Sequence, residues 1–167
     1  MSTILEKPIK VNRIITTSVE HAKALEDPAR AKIVELLYRR ALNAEQITNE
    51  LKKNGHKKAL TTIRHHLDIL KESGLIEVVK IEETRGAISK YYGTQTKLLG
   101  YEIPKDFETK YLKTITTTSE KIEKILQGIS PKTKSKKKNS DDYSAYVVME
   151  ILNRAVTNVL ENKQKSK

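Results

Sequence analysis

The chain has 167 residues, enough for one globular domain with appended segments, and its 32 lysines and arginines outweigh 21 acidic residues to give a net charge of +11. This charge favours a polyanionic partner such as nucleic acid. The absence of cysteine excludes disulfides, thiolate metal sites and cysteine nucleophiles.

Several functional classes are disfavoured by what the sequence lacks. There is no signal-peptide pattern and no apolar run near the roughly 20 residues of a membrane helix, so we expect no membrane partner and a cytoplasmic location, on the nucleoid if the source is prokaryotic. No glycine-rich phosphate loop, paired nucleophile and base, or metal-ligand set is found, which argues against an enzyme and against a cofactor. One Phe, seven Tyr and no Trp disfavour a base-stacking platform for single strands.

The first elements are helical. Residues 1–13 are expected to form a flexible or extended arm. Residues 14–25 can form a helix that begins at a Thr or at Ser18. Asp27-Pro28 predicts the start of a second helix that runs to Tyr38, with Asp as the N-cap and Pro at the first helical position.

A helix-turn-helix pattern follows. Asn43, with Gln46 three residues later, predicts a capping box, and Asn54-Gly55 ends that helix. The next helix spans roughly 60–72. Its apolar residues share one stripe and its polar residues the opposite face: Leu60, Ile63, Leu67 and Leu70 against Thr61, Thr62, Arg64, His65 and Asp68.

Two β-rich runs, 75–83 and 88–95, flank the turn Arg85-Gly86, although the apolar residues of the first run do not alternate cleanly. A helix with a polar outer face followed by a basic-tipped hairpin is typical of a winged helix-turn-helix. We therefore predict a mainly α fold with a small β-hairpin wing (α+β), in which residues 14–104 form the DNA-binding domain.

The C-terminal third is predicted to be helical. A helix over 106–129, within a dimerisation segment 105–129, carries a heptad seam: Tyr111, Ile115, Thr118, Ile122, Ile125 and Ile129. A lone helix leaves this seam exposed, so we predict a homodimer built on it, with helix 14–25 alongside. Residues 130–141 form a lysine-rich linker expected to be disordered, and 142–167 an amphipathic helix and a frayed tail.

The segment entering and forming the helix at 60–72 is strongly cationic. Between Leu51 and Leu67 there is no acidic residue, and there are five cations: Lys52, Lys53, Lys57, Lys58 and Arg64. Arg64 is the candidate for reading a base edge, because a guanidinium can fork to guanine O6 and N7. Lys57 and Lys58 are candidates for phosphate contacts, which position a protein without reading sequence.

Other residues carry two interpretations each. Thr61 and Thr62 either bind phosphate or cap the helix, and His65 either faces the groove or is solvated. Arg85 and Lys90 either reach the minor groove or flanking phosphates, or simply charge a solvated hairpin. His66 is interpreted as a half-buried, hydrogen-bonded structural residue, and Asp68 as a partner of Arg64 rather than of cytosine N4.

Two stretches resemble the ArsR-type winged helix regulators: Leu25-Glu-Asp-Pro-Ala-Arg-Ala-Lys-Ile-Val-Glu-Leu-Leu37, and Thr61-Thr-Ile-Arg-His-His-Leu-Asp-Ile-Leu-Lys-Glu-Ser-Gly-Leu-Ile76 with the following wing and Tyr91-Tyr92. The resemblance covers about 18–95 and implies a homodimeric, operator-binding transcription regulator, often a repressor released by a ligand. The metal-sensing members' thiolates or helix-borne His/Asp sets are missing here, since there is no Cys and helix 106–129 has no His. Metal sensing is therefore not carried over.

The predicted function is sequence-specific binding of double-stranded DNA by a homodimeric regulator, and the sequence identifies no small-molecule or protein effector. Two alternatives remain open. One is an architectural or chromatin-type protein that coats DNA with low sequence specificity, and the other is a winged-helix interaction module of a transcription complex. Comparing salt-dependent binding to a specific and a scrambled duplex separates them.

Overall fold

The computed structural model describes residues 17–129 and 140–162. It forms two compact units, and the boundary between them along the chain falls after residue 101. The predicted arm at 1–13, the start of the predicted first helix, residues 130–139 of the predicted linker and the tail 163–167 lie outside the described residues. The expectations made for them stay predictions.

The described part of the first unit alternates helices and short strands. In chain order it contains α1 (Val19–Leu25), α2 (Pro28–Leu37), β1 (Leu42–Asn43), α3 (Ala44–Lys53), α4 (Leu60–Glu72), β2 (Glu77–Thr84) and β3 (Ala87–Gly93). Helix α4 has the bounds that its apolar stripe predicts. The mainly α fold with a small wing is confirmed.

Side-chain caps determine where the first three helices begin. Ser18 Oγ accepts the His21 N–H at 3.0 Å, so Ser18 is the N-cap of α1, one of the two starts that the sequence predicts. Asp27 Oδ1 accepts the Ala29 N–H at 2.7 Å and Pro28 occupies the first turn of α2, as predicted. Asn43 forms the predicted reciprocal capping box at the start of α3.

The core of this unit lies where α2, α3 and α4 meet. The side chains with no exposed surface are Ile33, Val34 and Leu37 of α2, Ile47 and Leu51 of α3, and Ile63, Leu67 and Leu70 of α4. Leu75 and Ile76 extend the core into the start of the wing. Each fully buried aliphatic side chain contributes about 1.5–3 kcal/mol, so this contact fixes which face of α4 points outward.

The three strands form an antiparallel sheet in the order β1-β3-β2. Arg85 and Gly86 both have positive φ, 52° and 79°, and close the hairpin as a two-residue turn of the type that suits twisted strands. The register shifts between Val78 and Lys80, so Val79 is the extra residue of a bulge. This bulge explains the missing alternation, and β1 was not predicted because two residues give no periodic signal.

The second unit contains α5 (Phe107–Ile129) and α6 (Ser140–Asn162), which pack against each other. Val148 is buried at 5% exposure, and Ile122 and Ile129 of α5 are half-buried. The N-terminal half of the α5 seam is more open, since Tyr111 is 39% and Ile115 is 43% exposed. The seam is therefore only partly covered within one chain.

Candidate nucleic-acid interface

Helix α4 presents its polar side chains to solvent because its opposite side is held in the core. Ile63, Leu67 and Leu70 are buried, and the helical turn of 100° per residue then projects the intervening positions outward. Thr61, Arg64, His65 and Asp68 are exposed, and Thr62 is half-buried. The predicted polar face is thus one surface of α4.

The N-terminus of α4 is cationic and carries no side-chain cap. Ala59 occupies the N-cap position and forms no side-chain hydrogen bond, so the interpretation of Thr61 or Thr62 as a cap is wrong. The first turn contains no acidic residue, and Lys57 and Lys58 directly before it are exposed. Free N–H groups at a helix N-terminus, with lysines beside them, suit phosphate oxygens.

Ion pairs leave most of the cationic window available to a ligand. Lys53 Nζ lies 2.9 Å from Glu50 Oε1, and this lysine holds the pKa of Glu50 below its usual value. Asp68 lies 3.9 Å from Lys71 Nζ, so its predicted pairing with Arg64 is wrong. Among the residues that the structure describes, Lys57, Lys58 and Arg64 form no ion pair.

The wing is electrically balanced, unlike the start of α4. Residues 77–93 contain three acids and three bases: Glu77, Glu82 and Glu83 against Lys80, Arg85 and Lys90. Lys80 and Glu82 pair with each other, and hydrogen bonding to Lys80 lowers the pKa of Glu82. Arg85, exposed at the turn, and Lys90, exposed on β3, are the remaining cations.

Tyr92 lies at the base of the wing, within electrostatic range of two residues on the polar face of α4. It packs against the core, burial raises the pKa of its hydroxyl, and the charges of Asp68 and Arg64 act on it in opposite directions. Lys90 stands two residues earlier on β3 and therefore shares its face of the sheet. The sequence predicted no role for Tyr92, because Asp68 and Arg64, whose charges act on its hydroxyl, are distant along the chain.

His65 and His66 diverge, as adjacent helical residues must. His65 is exposed, whereas His66 is only 6% exposed, and their ring centroids are 6.4 Å apart. Neither ring nitrogen of His66 has a hydrogen-bond partner, so the prediction of a half-buried, hydrogen-bonded histidine is wrong on both counts. Within the described residues, no cluster of three His, Cys, Asp or Glu side chains is arranged to hold a metal ion.

Comparison with known protein families finds a match to the central part of the chain. Residues 25–79, which include α2, α3, α4 and the start of the wing, match the family described as "Helix-turn-helix domain". The match spans 55 of the chain's 167 residues, and the arrangement that it names is the one that α3 and α4 form in the structure.

Comparison with curated proteins finds no match. A solved structure that is similar is the homodimeric winged helix-turn-helix DNA-binding domain of a possible ArsR-family transcriptional regulator from Mycobacterium bovis. It shares 22% identity and a TM-score of 0.36 with this chain, and the match covers 62% of this chain and 80% of that one. None of the helices described is both long and apolar enough to cross a membrane.

Proposed function

We propose that the chain is a transcription regulator that binds double-stranded DNA sequence-specifically as a homodimer. The observation that carries this proposal is the composition of the exposed face of α4 in a helix-turn-helix domain. Thr61, Arg64 and His65 offer hydrogen-bonding groups that differ from one another, on a helix whose buried face leaves it no freedom to rotate. A surface that only attracts phosphate needs cations but no such variety.

Each group has a distinct part in the proposed complex. Arg64 is exposed and free of an ion pair with Asp68, so its guanidinium can fork to guanine O6 and N7 in the major groove. His65 and Thr61 lie on the same exposed side and contact neighbouring base edges or sugar-phosphate. Thr62, which is half-buried, contacts phosphate at the entrance of the helix.

Phosphate contacts set the position of α4 in the groove. Lys57 and Lys58 bind backbone oxygens on one side, beside the uncapped helix N-terminus. Arg85 and Lys90 bind the flanking phosphates or the minor groove on the other. Because the wing has no net charge, its contribution to overall affinity is smaller than that of the two lysines.

The second unit supplies the dimer. The seam of α5 is partly exposed, with Ile115 43% and Tyr111 39% exposed in its N-terminal half. Ile125 is also 37% exposed, and Thr118 lies between them on the same stripe. We propose that a second copy covers this stripe, which is completed by Ile122, and that residues 105–129 form a dimerisation segment separate from the DNA-binding domain at 14–104.

The proposal is tested by enriching bound fragments from random duplex DNA and then measuring variants on the selected duplex. Arg64→Ala is expected to cost about 1–3 kcal/mol and to relax preference at one base position. Lys58→Ala is expected to weaken binding to all DNA sequences alike. It should also reduce the slope of log affinity against log salt concentration by about one. Lys71→Ala is the control, because Lys71 is an exposed cation at the opposite end of α4.

The outcome also separates the alternatives. Enrichment without a motif, with Arg64→Ala as selective as the parent chain, supports an architectural DNA-binding protein, for which the net charge of +11 is sufficient. No duplex binding at moderate salt supports a winged-helix interaction module, with the exposed residues of α6 as its surface. A symmetric motif supports the regulator. With DNA as the proposed ligand, we propose a cytoplasmic location, on the nucleoid if the source is prokaryotic.

A further inference from the structure

His66 faces the first turn of α2 from the buried side of α4. Its Nε2 lies 3.9 Å from Asp27 Oδ2, too far for a hydrogen bond, and among the residues that the structure describes neither ring nitrogen has a hydrogen-bond partner. The side chain is 6% exposed. Asp27 is meanwhile engaged elsewhere, since its Oδ1 caps α2 through the Ala29 N–H at 2.7 Å.

The charged groups around His66 come from four places in the fold. They are Asp27 before α2, Arg30 on α2, Lys58 in the loop before α4, and His65 on α4 itself. Burial lowers the pKa of His66 and is the largest influence; Asp27 raises it, and Arg30, Lys58 and His65 lower it further. The ring is therefore neutral at pH 7 in the folded domain.

Arg30 limits how far Asp27 can respond. Its Nε donates to the Ala24 carbonyl at 2.5 Å and its Nη2 to the Lys23 carbonyl at 3.2 Å, while its Nη1 lies 3.9 Å from Asp27 Oδ2. Asp27 thus has an amide, a guanidinium and an imidazole within reach. It cannot turn fully toward a charged His66 without loosening the cap of α2.

A protonated His66 would carry two N–H donors into a site that satisfies neither. The conformations that accept the proton at the ordinary pKa of about 6.5 are those in which the ring reaches water. Acid therefore favours states in which α4 has moved away from the start of α2.

We propose that the Asp27–His66 contact makes DNA recognition proton-sensitive: protonation of His66 displaces α4 from α2 and lowers affinity for the specific duplex. This inference rests on the proposed function, because it requires α4 to be the helix that reads DNA. His65 is a second histidine on α4 and is exposed on the DNA face, so both chains in the test lack it.

The test compares two chains that differ only at His66. Affinity for the selected duplex is measured from pH 7.5 to pH 5.5 in His65→Gln and in the double variant with His66→Gln, which cannot be protonated. Between these pH values, the affinity of His65→Gln is expected to fall relative to that of the double variant, because only His65→Gln retains the proton-accepting ring of His66. Equal pH dependence in the two would overturn the inference.

Two further measurements keep the inference testable if His66→Gln does not fold. Asp27→Asn retains the N-cap, since Asn caps as well as Asp, but removes the one neighbour that favours a charged His66. In the His65→Gln background it is expected to enlarge the loss of affinity between pH 7.5 and pH 5.5, because the folded ring then accepts a proton even less readily than the ring in water. A smaller or unchanged loss counts against the inference. The ring proton signals of His66 in the free full-length chain should titrate below 6.5, and titration at or above that value rejects it.

The same data separate this inference from the proposed function. A parent chain with no preference for the selected duplex at pH 7.5 contradicts sequence-specific recognition itself. A clear preference at pH 7.5, together with identical pH dependence with and without His66, rejects only the proton-sensitive contact.

Discussion

Gly93 lies under a side chain that leaves no room for a methyl group. A Cβ built at this position would lie 2.9 Å from Val79 Cγ1, because the bulge of β2 turns Val79 over the end of β3. We predict that Gly93→Ala destabilises the domain by about 1–3 kcal/mol, the usual cost of overpacking. Chemical denaturation measures this change.

The matched control for this substitution is Gly100→Ala, where a Cβ would meet nothing within 4 Å. It should leave stability nearly unchanged. Removing the obstacle should restore most of the loss, so Gly93→Ala combined with Val79→Ala should be more stable than Gly93→Ala alone. Equal destabilisation by both single glycine substitutions would show that the contact with Val79 is not the cause.

His66 gives stability a dependence on pH whose sign is fixed by burial. Burial lowers the pKa of His66 in the folded chain, whereas the unfolded chain has the ordinary value of about 6.5. Below that value the unfolded state binds more protons, so the free energy of unfolding should decrease as the pH falls from 7.5 toward 5.5. Each unit of lowered pKa corresponds to about 1.4 kcal/mol.

Denaturation of the parent chain and of His66→Gln across this range measures the contribution. The parent should lose more stability than the variant. Asp27 does not titrate between pH 7.5 and pH 5.5, so it does not affect the comparison. Burial raises its pKa, but the Ala29 amide and nearby cations outweigh burial and hold the pKa below its ordinary value. Parallel curves for the two proteins would contradict the prediction.

Among the elements, the hairpin turn combines strain with exposed charge. Arg85 occupies the first central position with φ of 52°, a conformation that Asn adopts more readily than Arg. We predict that Arg85→Asn stabilises the domain by up to about 1 kcal/mol, within the cost of left-handed backbone for ordinary residues. It should also weaken DNA binding, because a wing cation is lost.

Opposite changes in melting temperature and DNA affinity are the signature of a residue kept for function at a cost in stability. Arg85→Lys is the control, since it retains both the charge and the strained backbone and should change neither quantity much. If Arg85→Asn stabilises the domain without affecting binding at low salt, the tip of the wing does not contact DNA.

Local signals account for the elements that the sequence predicted well. The caps Asp27 and Asn43 and the apolar stripe of α4 act within a few residues, so their effect is readable without the fold. Strand β1 and the surroundings of His66 are different, because both depend on partners distant in sequence: Leu42 pairs with Tyr92, and His66 faces Asp27. The polar face of α4 was predictable, whereas the freedom of Arg64 from Asp68 was not.

For the whole molecule, the proposed dimer and the proposed DNA contact make one joint prediction. A two-fold dimer places two recognition helices in successive major grooves, so selected half-sites should lie about 34 Å apart, one helical turn, or a multiple of it. Ile115→Asp should produce monomers in sedimentation, because Ile115 is 43% exposed and a charge there opposes association without disturbing the buried core.

The monomeric variant should bind a duplex with a single half-site as tightly as the parent does. It should not show the gain in affinity that the parent shows when a second half-site is present. Lys113→Asp is the control, since Lys113 lies on the opposite side of α5 from the seam. Its sedimentation should match that of the parent. Should Ile115→Asp remain dimeric and keep the two-site gain, the interface must lie elsewhere, and the exposed apolar residues of α6, Val156, Val159 and Leu160, become the surface to alter next.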